Sequence, residues 1–135
     1  MAGVSVKLVK EYIEAQGYKI EQAKEELLYI EFGFEGGKIH IFMDFADDEN
    51  VHFEGMRFIN VPENKLESMY KAVNECNDMY RHIKFVVDVE HKQIVARDDA
   101  IIQIDTCGPE CFQLLGRMVG IVEAAYPMLM KAIWG

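Results

Sequence analysis

Residues 28–45 read LYIEFGFEGGKIHIFMDF, and this stretch decides the fold. Leu28, Ile30, Phe32 and Phe34 alternate with Tyr29, Glu31 and Gly33, the period of a strand with one face buried. Gly36-Gly37 supplies a tight turn, since glycine enters the positive-φ conformations that such turns require. Beyond it Ile39, Ile41, Met43 and Phe45 face inward, and Lys38, His40 and Asp44 outward. Strands joined by so short a turn run antiparallel.

Working downstream, Asp47-Asp48-Glu49-Asn50 is a polar turn into a third strand. Val51 and Phe53 share a face there, while Met56 and Phe58 fall on the opposite parity. A one-residue bulge at Glu54-Gly55 is therefore expected. Pro62 opens a helix bearing Leu66, Met69, Tyr70, Val73 and Cys76, which ends near Tyr80. A second hairpin follows, Ile83 to Val89 and Gln93 to Arg97, and Asp98-Asp99 is expected to interrupt it before Ile101, Ile102 and Ile104. Asp105 or Thr106 caps a last helix that has Pro109 in its first turn and runs to about Ile133.

Upstream, Lys19 to Glu25 is polar and reads as a connection. Gly17 stops a first helix whose face is Leu8, Val9, Tyr12 and Ile13, with Ser5 as its cap. The order is α-β-β-β-α-β-β-α. This predicts an α+β fold, a five-stranded antiparallel sheet with the helices on one face, and excludes a doubly wound parallel sheet. The expected inward set is Ile30, Phe32, Ile41, Met43, Phe53, Phe85 and Val87. The outward set is Tyr29, His40, Phe42, Phe58 or Ile59, and Val86, more apolar than a solvated face needs and so a partner or subunit contact.

The 135 residues suit a single domain, 1–135. With 14 basic against 23 acidic residues the formal net charge is -9, which repels phosphate backbones and anionic lipid. Neither nucleic acid nor membrane is an expected partner. Three cysteines make no disulfide framework, and the first ten residues lack a secretory h-region. A cytoplasmic location is expected.

From Leu114 to Trp134 the last helix is almost wholly apolar, broken only by Arg117, Glu123 and Lys131. Three spread charges and Pro127 argue against a membrane span. A helix apolar on more than one stripe has more than one stripe to bury. Gly116, Gly120 and Ala124 form a smooth ridge that either packs on the protein's own sheet or meets a second copy. The expected homodimer seam comprises Leu115, Gly116, Met118, Gly120, Val122, Ala124 and Leu129.

Candidate chemistry is sparse. Cys107 and Cys111 share one helix face near its N-terminus, where a thiolate is favoured, but redox pairs usually stand closer in sequence. His40, His52, His82 and His91 are scattered; the first two lie on adjacent strands and could approach, yet two ligands do not close a zinc site. The acidic turn at Asp47 lacks calcium-loop spacing. No catalytic motif is present, so no enzyme activity, cofactor or metal is expected. Asn74 and Asn77 suit helix interiors poorly and are expected to tie down a neighbouring segment.

The stretch from Val73 to Asp98, with Asn74 and Asn77 three apart, Lys84-Phe85 and Asp88, resembles the YbjN family of small bacterial proteins. The Val61-Pro62 entry to the middle helix is similar too, so the resemblance covers most of the chain. It implies a bacterial sensory transduction regulator with a type III secretion chaperone-like fold, often dimeric, and no catalytic residues to carry over. Together these readings predict a non-catalytic, chaperone-like protein-binding or regulatory module, homodimeric and with an unidentified protein partner. The alternative is a small-molecule or thiol-dependent redox protein using Cys107 and Cys111.

Overall fold

The computed structural model describes residues 3–135. The first helix, α1 (Val4–Ala15), precedes four consecutive strands, β1 (Glu21–Lys24), β2 (Leu27–Phe34), β3 (Gly37–Asp47) and β4 (Asn50–Met56). Then come α2 (Leu66–Met79), the hairpin β5 (Lys84–Asp88) and β6 (Gln93–Ile101), and the long α3 (Cys107–Trp134). All strand pairs are antiparallel, in the order β1-β2-β3-β4-β6-β5. The sheet thus has six strands rather than the expected five. The extra one is Glu21–Lys24, whose four side chains are all exposed. A strand that buries nothing leaves no alternation in its sequence, and Lys19 to Glu25 read as a connection for that reason.

Leu28, Ile30, Ile41, Met43, Phe53 and Phe85 form the inner face as expected. Phe32 and Val87 are only partly buried and lie at its rim. The expected bulge at Glu54-Gly55 is absent, because Gly55 pairs with Ile41 and Met56 with His40 in unbroken register. Gly55 itself points inward, where an added Cβ would sit 2.5 Å from Ile39 Cδ1 and 3.1 Å from Met118 Sδ. A missing side chain, filled by neighbours, had disguised the parity. The register shift falls instead between Phe45 and Asp47. Arg57, at φ 61°, then turns the chain back, so that Phe58 and Ile59 are buried and not on the outer face. Asp98-Asp99 does not break β6, which runs straight through both.

The three helices lie on the inner face, with α3 in contact with both α1 and α2. Leu115, Met118, Val122, Ala125 and Leu129 repeat at helical spacing and are each 0% exposed, the stripe that α3 presses onto the sheet. The β2–β3 turn grips the same helix. Glu35 donates its backbone N–H to Glu123 at 2.5 Å, and Phe34 meets Tyr126 edge-on at 5.1 Å. At the other end, Glu110 accepts from the Thr106 hydroxyl and from the Gln103 N–H at 3.3 Å. The cap of α3 is thus supplied from inside its first turn, with no side-chain bond from Thr106 to the helix backbone.

Ser5 does not cap α1 as expected. It lies inside the helix, its N–H donating to Asp48 Oδ1 at 3.0 Å and its hydroxyl to the Asp48 carbonyl at 2.5 Å. The acidic β3–β4 turn therefore supplies the anion that a helix N-terminus favours. Among the described residues no helix is long and apolar enough to cross a membrane.

Candidate functional site

Among the described residues, the opposite face of the sheet carries no helix. Strand alternation sends Tyr29, Phe42, Glu54, Arg97 and Lys84 outward in one row across five strands, with Glu21 at its end. The neighbouring row carries Glu31, His40 and Met56, then Val95 and Val86. Tyr29 stacks on His40 with centroids 5.8 Å apart, tilts against Phe42 at 4.9 Å, and its hydroxyl lies 2.5 Å from His40 Nδ1. Burial against these neighbours, then the charge of Glu31, raise the tyrosine pKa. Tyr29, His40, Phe42, Met56 and Val86 are all half-buried, while Val95 in the same row is buried.

Charged groups surround this apolar centre. His52 is held between Asp99 at 2.7 Å and Glu54 at 3.0 Å. Desolvation pulls its pKa down, but these two hydrogen bonds outweigh it and the net shift is upward. Arg97 stands 3.9 Å from Glu54. Toward β5 the face dips into a groove of about 490 Å³ lined by Met56, Arg57, Val95 and Arg97. Its far wall is Asp88, which accepts from Gln93 at 3.1 Å and lies 2.9 Å from His91 Nδ1. Desolvation raises the Asp88 pKa, and the bonds from His91 and Gln93 together more than reverse it. Arg57 keeps its left-handed backbone by donating its N–H to Gln93 Oε1 at 3.0 Å.

The residues singled out from sequence fall elsewhere. Leu115, Met118, Val122 and Leu129, expected in a subunit seam, are spent on the protein's own core. Gly116, Gly120 and Ala124 face solvent, and nothing lies within 4 Å of a Cβ built on either glycine. The ridge therefore does not pack on the sheet. Cys107 and Cys111 are 1% and 0% exposed, and burial pushes the Cys111 thiol up to about 12, away from the reactive thiolate. His40 and His52 do not meet, since they pair with Met56 and Asp44 along different rows. Among the described residues no three His, Cys, Asp or Glu side chains gather as a metal site.

Asn77 does what was expected of the asparagine pair, and alone. It accepts from the Phe85 N–H at 2.7 Å and donates to the Phe85 carbonyl at 3.0 Å. One side chain thereby occupies the outer edge of β5. Asn74 is exposed and takes no part in these bonds. Sequence reasoning missed Asp98, which points into the core beneath α3, 8% exposed and 3.5 Å from Arg117. Burial raises its pKa and the Arg117 charge offsets only part of that. The Arg117 Nε is buried with no hydrogen-bond partner among the described residues.

A one-sided antiparallel sheet of six strands, with three helices behind it and a bare aromatic face in front, defines an α+β protein that presents a surface rather than a deep cleft. The chain belongs to the YbjN family, described as "Putative bacterial sensory transduction regulator", which it matches over residues 5–126. Its structure is similar to the crystal structure of YbjN from E. coli, titled a "putative transcription regulator". The two are 12% identical with a TM-score of 0.65, covering 90% of this chain and 91% of that one, a likeness of fold. Comparison with the curated proteins found no match.

Proposed function

We propose that this protein is a non-catalytic regulatory module of the bacterial cytoplasm that works by binding proteins, in the manner of a chaperone-like platform. Family membership supports the regulatory part. The binding part rests on one observation, the uncovered sheet face centred on Tyr29, His40, Phe42, Met56 and Val86. A solvated antiparallel face normally alternates to polar residues, and half-buried aromatic side chains there favour cover by another molecule. The burial of Cys107 and Cys111 weighs against the thiol-dependent alternative.

The test is replacement of the chromosomal gene by variants in the source bacterium. Phe42→Asp should give the same expression profile as deletion, while Cys107→Ala and Cys111→Ala should keep the native profile. A native profile in Phe42→Asp, or loss in a cysteine variant that still folds, would overturn the proposal.

A further inference from the structure

We infer that the groove beside Arg57 is a binding site for a small organic monocarboxylate with an apolar body, held by Arg57 and Arg97 and laid on Met56 and Val95. The inference goes beyond the protein-binding reading and does not depend on it.

A detour in the sheet builds the groove. Gly55 pairs with Ala96, and the next bridge joins Asn60 to Gln93, so four residues, Met56 to Ile59, face two, Ile94 and Val95. Backbone bonds pin the segment where it rejoins the sheet. The Ile94 N–H donates to the Ile59 carbonyl at 3.3 Å, and the Val61 N–H to the Lys92 carbonyl at 2.8 Å. The surplus residues have to leave the ladder, and bulges of this kind re-aim side chains. Phe58 and Ile59 turn into the core, which leaves Met56 and Arg57 as one wall of the groove. Val95, 2% exposed, lies at its base.

Arg57 sits at φ 61°, a conformation that glycine takes freely and other residues rarely adopt. Such strain persists only where the surroundings impose it, and it clusters at functional sites. Here a chain of bonds imposes it. The Arg57 N–H donates to Gln93 Oε1 at 3.0 Å, Gln93 Nε2 donates to Asp88 at 3.1 Å, and His91 Nδ1 lies 2.9 Å from the same carboxylate.

The chemistry left over is cationic. Asp88 is engaged by His91 and Gln93, and Glu54 by His52 at 3.0 Å. Arg97 Nε is held loosely, 3.9 Å from Glu54. Among the described residues the Arg57 guanidinium makes no hydrogen bond or ion pair. Two guanidinium forks suit a planar carboxylate, and the Met56 thioether suits an apolar or aromatic body beside it. The net charge of -9 selects for a single negative charge, because a dianion meets twice the long-range repulsion. A volume of about 490 Å³ lies within the range of small-molecule sites, about 300–1,000 Å³.

Two-dimensional NMR of the ¹⁵N-labelled chain, titrated with phenylacetate at neutral pH, tests the inference. The Arg57 and Arg97 Nε–H signals and the Gln93 side-chain amide should shift saturably, with a Kd below about 1 mM. Phenylacetamide keeps the shape without the charge and should bind about tenfold more weakly, or worse. Inorganic phosphate should be as weak, and so should N-acetylglutamate α-amide, which presents a carboxylate as a partner protein's side chain would. Arg57→Gly is the decisive variant. Glycine accepts the left-handed backbone, so the chain should melt no lower than native and yet lose phenylacetate about tenfold. Arg97→Gln should weaken it several-fold.

Absence of a saturable shift, or native affinity in either arginine variant, would overturn the inference. So would phenylacetamide, phosphate or the blocked glutamate binding as tightly as phenylacetate.

Discussion

The two faces of one sheet differ in what finishes them. On the inner face Ile30, Ile41, Met43, Phe53 and Phe85 are at most 1% exposed, sealed by α3 and its flanking helices. On the outer face Tyr29, His40, Phe42 and Val86 sit on the same strands, in the same registers, and reach only half burial. Strand alternation makes the two sets inevitable neighbours, one residue apart. The inner set is complete within the monomer. The outer set stays half-covered within the monomer.

The contrast can be broken most sharply with phenylalanines. Phe53 and Phe42 are one strand apart, yet Phe53→Ala should cost about 3–5 kcal/mol in urea unfolding, enough to threaten the fold. Phe42→Ala should cost a fraction of that, measured at a concentration where the chain is monomeric. Equal losses would erase the distinction between the faces.

Asn77 gives the next largest effect. Alanine there strands the Phe85 N–H and C=O, and about 1–3 kcal/mol should be lost. Asn74→Ala should stay within about 0.5 kcal/mol, being exposed. Thermal unfolding of the pair reads this directly, and equal losses would contradict the edge-clamp role of Asn77.

Smaller and of opposite sign, Gly116→Ala and Gly120→Ala should each stabilise by about 0.5–1 kcal/mol, since alanine is the better helix residue. Open space at both positions admits the methyl group. Destabilisation would mean that the α3 ridge is a packed contact after all.

The smallest expected effect is a pH dependence. Burial raises the Asp98 pKa in the fold above its unfolded value, so the folded chain holds this proton more tightly than the unfolded one. The contribution of Asp98 to stability is therefore favourable at acid pH and is lost as pH rises through its folded pKa. Asp98→Asn should raise stability at neutral pH and show less advantage, or none, near pH 4. Asp47 works the other way, held down by bonds from Asn50 and from the Glu49 N–H, so it contributes above its unfolded pKa and loses that on acidification. Denaturant midpoints from about pH 2 to 7 separate the two trends, since the Asp47 loss falls below its unfolded pKa.

Much of the fold was legible because its signals are periodic. The β2–β3 hairpin, the Gly17 helix stop with its φ of 92°, and the end of α2 beside Tyr80 follow from local spacing, whereas α2 starts at Leu66 after a short 3-10 turn rather than at Pro62. What escaped was decided by contact. Glu21–Lys24 became a strand because β2 offered a free edge, and Gly55 faced inward because Ile39 and Met118 fill its place. Arg57 reversed the parity of Phe58 through one left-handed residue that is not glycine. The helix stripe was harder still. Period alone shows that α3 has two faces, but only the packed structure says that Leu115 and Met118 press on the sheet while Gly116 and Gly120 face water. The candidate surface was half visible, as outward residues too apolar for solvent, and its charged border at His52, Arg97 and Asp99 emerged only from register.

Hydroxyl-radical footprinting of the folded chain puts the division between the faces to its most direct test. Met56 lies on the outer face, Met43 is 0% exposed on the inner face, and Met79 and Trp134 are 58% and 78% exposed on helices away from it. Met79 and Trp134 should react fastest, Met56 at an intermediate rate and Met43 not at all while the chain is folded. A silent Met56, or a Met43 that reacts as fast as Met56, would contradict the account.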